Sequence, residues 1–290
     1  MINAALVKEL REKTGAGMMD CKKALVETNG NLEEAITWLR EKGILKAQKK
    51  ADRIAAEGVC HFTVKGNKAV VFEVNSETDF VAKNQLFLDI VNEIGEAIIN
   101  SHATNTDEAL LVPSSKGTVN DLLINATATI GEKITLRRVQ VFEKTAAEVF
   151  GTYNHMNGKI AVVNVVRGNN EVVAKDVCMH IAAMNPRYLN RDQVDQDYLQ
   201  KEREVLVQET INEGKPAQII DRIVAGKVDK FLKTICLVDQ LFVKNLDQTV
   251  GQYAKANQSE ILSYVRLEVG EGIEKKKDDF VAEVMAAVNN

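Results

Sequence analysis

Apolar and polar positions along this chain follow two periods, and the switch between them divides it. From Asn3 to Leu39 apolar residues recur at helical spacing: Leu6, Val7 and Leu10, then Leu25 and Val26, then Leu32, Ala35, Ile36 and Leu39. Thr14-Gly15-Ala16-Gly17 and Asn29-Gly30 break the pattern, so it predicts three short helices. Asn3 caps the first; Met18 to Glu27 forms the second, with Leu25 and Val26 inward; Asn31 with Glu34 opens the third. Further on, a period of two appears in the β-branched runs that follow Gly66 and Gly158.

These two runs are copies of one segment. Aligned without a gap, Gly66 to Lys83 and Gly158 to Lys175 match at eight of eighteen positions: Gly66/Gly158, Ala69/Ala161, Val70/Val162, Val71/Val163, Val74/Val166, Val81/Val173, Ala82/Ala174 and Lys83/Lys175. Each reads as a Gly turn, a strand, a polar loop and a helix opening at Val-Ala-Lys. Phe87, Ile90, Val91 and Ile94 continue the first helix; Val177, Ile181 and Met184 continue the second. The copies diverge in the loop, Ser76 to Phe80 against Gly168 to Val172, so the aromatic belongs to the first alone. A shared scaffold with a divergent loop places function in the loop. The competing reading of Phe80 is an aromatic folded back on its own core, and that of Asp79 an N-cap for the helix starting near Val81.

Between Arg187 and Lys233 two polar helical runs meet at Asn212-Glu213-Gly214-Lys215-Pro216. Val194, Tyr198, Val205 and Leu206 would face Ile219, Ile220, Ile223 and Val228 in an antiparallel hairpin. Ile261 to Val269 alternates as a late strand that Gly270-Glu271-Gly272 ends, and Phe280, Val281, Val284, Met285 and Val288 stripe a terminal helix. That helix docks either in the core of this chain or on another protein. The expected organisation is α+β: a three-helix domain at 1–45, a basic linker at 46–57, core repeats with antiparallel sheets at 58–145 and 146–272, the hairpin at 187–233 inside the second repeat, and a helical module at 273–290.

Composition narrows the function classes. With 37 Lys and Arg against 41 Asp and Glu, the net charge of −4 argues against a broad phosphate-neutralising surface, so direct nucleic-acid binding is not expected. Lys46 to Arg53 reads as a solvated linker helix or as a minor phosphate contact. Cys21, Cys60, Cys178 and Cys236 form no CxxC pair, which suits buried thiols in a reducing compartment, and no apolar run approaches the roughly 20 residues that span a bilayer. A cytoplasmic chain with no membrane partner is therefore expected. GxxxxGK[ST], GxGxxG, HExxH and Gly-x-Ser-x-Gly patterns are absent, and Cys178-Met179-His180 is too short for a metal site without further ligands. His180 reads as a packed histidine and His155, before Asn157-Gly158, as exposed at a turn. No cofactor, metal site or covalent chemistry is expected.

Two long motifs carry a family resemblance. Leu10-Arg11-Glu12-Lys13-Thr14-Gly15-Ala16-Gly17-Met18-Met19-Asp20-Cys21-Lys22-Lys23-Ala24-Leu25 resembles the N-terminal signature of bacterial elongation factor Ts, and Glu73-Val74-Asn75-Ser76-Glu77-Thr78-Asp79-Phe80-Val81-Ala82-Lys83 resembles its second. The likeness extends to Val265-Arg266-Leu267-Glu268-Val269-Gly270-Glu271-Gly272-Ile273-Glu274, departing at Leu267, where the family often carries an aromatic.

The resemblance implies a guanine-nucleotide exchange factor for the GTPase elongation factor Tu, meeting GDP, GTP and Mg²⁺ only through that partner. It implies a ubiquitin-associated-like fold for the first three helices. In the family, the pair matching Asp79 and Phe80, flanked here by Thr78 and Val81, enters the GTPase beside its magnesium site; the aromatic wedges between helices and disturbs the Mg²⁺ ligands and phosphate loop. Residues matching Met18, Met19 and Lys22 rest on another helix of the same domain, the histidine matching His155 contacts a separate domain, and the terminal helix adds a contact. Two other classes remain open on the residues alone: a binding or chaperone module that leaves nucleotide release unchanged, and a nucleic-acid binder using Lys46, Lys49, Lys50 and Arg53.

Overall fold

The structure, a computed structural model, describes residues 3–274; the expected terminal helix lies outside them. Three helices open the chain: α1 (Ala4–Thr14), α2 (Met18–Glu27) and α3 (Leu32–Gln48). Asn3 caps α1 by accepting from Leu6 N, and Asn31 caps α3 by accepting from Glu33 N and Glu34 N. Gly15 takes the left-handed conformation that ends α1 (φ 72°). Val7, Leu10, Cys21, Ala24, Leu25 and Ala35 form their shared core. Val26 does not join it: at 55% exposure it points outward, because a helix that buries Cys21, Ala24 and Leu25 has no room on the same face for position 26.

The first repeat follows as β1 (Glu57–Lys65), β2 (Lys68–Ser76), α4 (Asp79–Ala82), α5 (Gln85–Ile99), α6 (Thr106–Leu110), the short hairpin β3 (Pro113–Ser114) and β4 (Gly117–Thr118), α7 (Val119–Ile130) and β5 (Thr135–Glu143). The second comprises β6 (Glu148–His155), β7 (Ile160–Arg167), α8 (Glu171–Met184), α9 (Gln196–Asn212), α10 (Ala217–Ile235), the hairpin β8 (Leu241–Phe242) and β9 (Asn245–Thr249), α11 (Val250–Ala256) and β10 (Glu260–Glu268). Each repeat builds its own antiparallel three-stranded sheet, β1-β2-β5 and β6-β7-β10, so the duplication yields two sheets of equal topology.

The matched residues explain how the sheets meet. Side chains alternate across a strand. Val70, Phe72 and Val74 of β2 face a core made with α5 and α7, and Val162 and Val166 of β7 face one made with α8 and α11. The opposite faces pack on each other through Cys60, Ala69 and Val71 against Ala161, Val163 and Leu267. Leu267, where the family often has an aromatic, fills this interface at 2% exposure. On the outer face, Gly151 lets α8 approach β6, since a Cβ there would sit 2.3 Å from Ala174 O. Asn164 closes the same contact, accepting from Gly151 N and donating to Ala174 O.

Two further expectations change. The repeat helix opens two residues before Val-Ala-Lys, at Asp79 and at Glu171, and in the first copy it breaks at Lys83, with Asn84 capping α5 anew. The α9–α10 hairpin forms, but Val205 and Ile219 are 53% and 43% exposed; Thr210 and Val224 are the fully buried residues along it, and Val194, Leu232, Ile235 and Cys236 form the root. The apolar residues of the hairpin are only partly covered because two helices alone offer only one facing stripe each.

Candidate functional site

The divergent loop is a single helical turn held on a rigid stem. After β2 ends at Ser76, Thr78 adopts extended backbone and accepts from Val81 N, making it, and not Asp79, the N-cap of α4. Asn170 caps α8 identically by accepting from Val173 N. The duplication therefore places Phe80 and Val172 at the second position of their helices, where both point outward, 79% and 67% exposed. Phe80 does not fold back on its own core.

What distinguishes the first copy is its stem. Glu132, in the turn between α7 and β5, accepts from Glu77 N at 3.1 Å, Thr78 N at 3.0 Å and Thr78 Oγ1 at 2.7 Å. Glu77 answers by accepting from Lys133 N at 2.7 Å and pairing with Arg53 at 3.2 Å. Lys133 Nζ donates to Ala51 O and Arg53 O, tying the linker to the same clasp. Inside, Glu73 is fully buried and takes charge-assisted bonds from Arg137 at 2.9 Å and Arg138 at 2.6 Å, with Gly270 N and Asn75 Nδ2 also donating. Burial raises its pKa, but the Gly270 and Asn75 bonds and the Arg138 charge outweigh that and hold it below the ordinary carboxylate range. The second motif thus splits: Glu73 to Ser76 are interior, Phe80 is presented with Thr78 and Asp79 half-buried beside it, and Val81, expected at the partner surface, packs partly buried against the core of the first repeat.

Asp79 and Lys83 pair across one turn at 2.6 Å. The hydrogen bond from Lys83 keeps the Asp79 carboxyl below its usual range, and Lys159 adds to this by its charge. Lys159 also pairs with Glu57, whose cross-strand partner is Ser76 at the base of the loop. The turn between β6 and β7 therefore lies on the same end of the molecule as Phe80. Met156 is 68% exposed there (φ 49°), while His155 is only half-buried, its Nδ1 3.2 Å from Tyr153 Oη.

Met18, Met19 and Lys22 lie apart from this end, on an outward face of α2. Met18 and Met19 are 59% and 75% exposed, and Val26, one turn beyond Lys22, extends the stripe. The three-helix unit is anchored by α3 on α7, with Arg40 on Asp121 at 2.9 Å and Lys116 Nζ donating to Lys13 O. Of the basic stretch, Lys46 pairs with Asp20, Lys50 Nζ donates to Gly131 O and Arg53 pairs with Glu77. These cations act as struts, which weakens the phosphate-contact reading.

Remaining candidate chemistry is interior. Burial pushes the Cys60 and Cys178 thiols up, and lowers His180, which bonds Gln240 Oε1 and accepts from Val243 N. Among the described residues no three His, Cys, Asp or Glu side chains could jointly hold a metal ion, and no helix is long and apolar enough to cross a membrane. Sequence reasoning missed Glu132, Lys133 and Arg53 as partners of the loop. Gly131, left-handed at φ 89°, signals the turn that carries the first two, but only the pairing of β2 with β5 brings them to Thr78.

Comparison with known proteins bears on this surface. A family profile described as "Elongation factor TS" matches residues 77–271. The chain is 55% identical to the protein named "Elongation factor Ts" of Acholeplasma laidlawii (strain PG-8A), over 99% of each.

Proposed function

The chain belongs to the elongation factor Ts family, and from that premise we propose that it is a cytoplasmic guanine-nucleotide exchange factor that binds elongation factor Tu and promotes GDP release by disturbing its magnesium and phosphate site. The observation that carries the mechanism is Phe80: a large apolar ring, 79% exposed, on a turn whose backbone is fixed by charged hydrogen bonds. Such a ring has little to gain in water and much to gain in an apolar pocket of a partner. Its burial is worth roughly 1.5–3 kcal/mol, and each decade of nucleotide affinity takes about 1.4, so Phe80 supplies one to two decades. Asp79 enters beside it as a charge held ready by Lys83, able to compete for groups around the partner's Mg²⁺. Met18, Met19 and Lys22 on α2 provide docking surface away from the wedge, and His155 on β6 provides it on the same end as the wedge. No covalent step is required of this chain.

Release of a fluorescent GDP from elongation factor Tu, in excess unlabelled nucleotide, tests the proposal. Substoichiometric protein should accelerate release, and Phe80→Ala should lower the acceleration by about 10- to 100-fold while its unfolding midpoint stays near that of the parent. Unchanged release with folded parent protein would remove the exchange function and leave a simple binding module.

A further inference from the structure

The two repeats supply an internal comparison. Both copies cap their helices alike and present an apolar residue at the second helical position, yet among the described residues only the copy with the aromatic has a carboxylate bound to the loop's backbone amides. In the second copy the corresponding turn, at 257–259, approaches Gly168 with Gln258 O, a carbonyl rather than a carboxylate. The clasp in the first copy is reciprocal: Glu132 takes the amides of Glu77 and Thr78, and Glu77 takes the amide of Lys133. Charge-assisted bonds of this kind are the strong ones, and fixing an amide pair from both sides removes the two backbone torsions that would let the next residues swing.

We propose that Glu132 is a positioning residue for exchange: it touches neither partner nor nucleotide, and it acts by holding Thr78 so that Phe80 leaves the surface at one fixed angle. This rests on the exchange-factor reading of the same loop. A wedge works only if its ordering is complete before insertion; a loose loop loses part of the insertion energy to the entropy of ordering itself. The effect therefore falls on the maximal release rate, while the half-saturating concentration is governed by α2 and the β6–β7 turn.

A double-mutant cycle on the full chain tests it, with GDP release from elongation factor Tu as the readout. Glu132→Ala should lower the maximal rate about tenfold, the equivalent of one charge-assisted hydrogen bond. In a Phe80→Ala background the same change should cost less than about twofold, because the wedge it positions is gone. Glu132→Gln, which keeps shape and one acceptor, should fall between and guards against a misfolded alanine variant. Equal factors in both backgrounds would mark Glu132 as merely structural, and no effect in either would equally overturn the proposal. A wild-type chain that does not accelerate release would sink the exchange reading along with it; an active wild type with additive factors would sink Glu132's role alone.

Discussion

Glu73 is a fully buried carboxylate whose partners come from β5 and from the turn after β10, so one side chain joins the two repeats. A buried charge is tolerable only while it is paired, and neutralising it leaves Arg137 and Arg138 facing an uncharged amide in place of the carboxylate, with Glu271 still paired to Arg138. Both arginines keep some solvent contact, 29% and 25% exposed, which places the cost of Glu73→Gln near the low end for a broken buried pair, about 3 kcal/mol at neutral pH. The pH dependence follows in sign. The folded carboxyl lies below its ordinary value of 4.5, so the unfolded chain binds the proton more readily; the stabilisation is present above pH 4.5 and is lost as pH falls through the folded value beneath it. The gap in urea midpoint between parent and Glu73→Gln should therefore be narrower at pH 3.5 than at pH 6, and a constant gap would show that Glu73 stabilises by shape rather than charge.

At the level of elements, α3 and α7 cross where Gly43 meets Ala128, and a Cβ built at Gly43 would sit 3.6 Å from the alanine methyl, an ordinary contact. Gly43→Ala should thus gain helix propensity without a clash and raise stability by about 0.5–1 kcal/mol. Gly43→Leu should instead lever the three-helix unit off α7. Thermal unfolding of both variants checks this; a destabilised Gly43→Ala would mean the crossing has no slack. The same elements show what periodicity could and could not read. The three helices, the paired strands of each repeat and the late strand were legible because burial imposes periods of 3.6 and 2 on the residues themselves. Val26 was misplaced because apolar identity does not say which face a helix turns outward, and Val205 and Ile219 because a two-helix seam is narrower than its apolar stripe. In the loop, Asp79 lost the N-cap to Thr78 because both are good caps and the strand end at Ser76 decides the register. Glu132 was invisible for another reason: its partner is 54 residues away, and no local pattern encodes that distance.

The two sheets, packed back to back through Ala69, Val71, Ala161, Val163 and Leu267, make the repeats one body, so the Phe80 loop and the β6–β7 turn reach a partner as a fixed pair. A rigid surface that binds at several points and inserts at one must obey linkage: whatever factor the inserted wedge takes from GDP affinity, bound GDP takes from the affinity of this chain. If Phe80 is the wedge, one to two decades of that factor belong to it. The Kd of this chain for elongation factor Tu, measured by calorimetry on nucleotide-free and on GDP-saturated partner, should therefore rise with GDP by the same ratio by which saturating chain raises the Kd for GDP. In Phe80→Ala both ratios should shrink together by about 10- to 100-fold, while binding to the GDP-loaded partner, held by the other surfaces, changes least. A mutant that loses affinity equally for both forms of the partner would make Phe80 an anchor instead, since only a contact that distinguishes the two states can drive exchange between them.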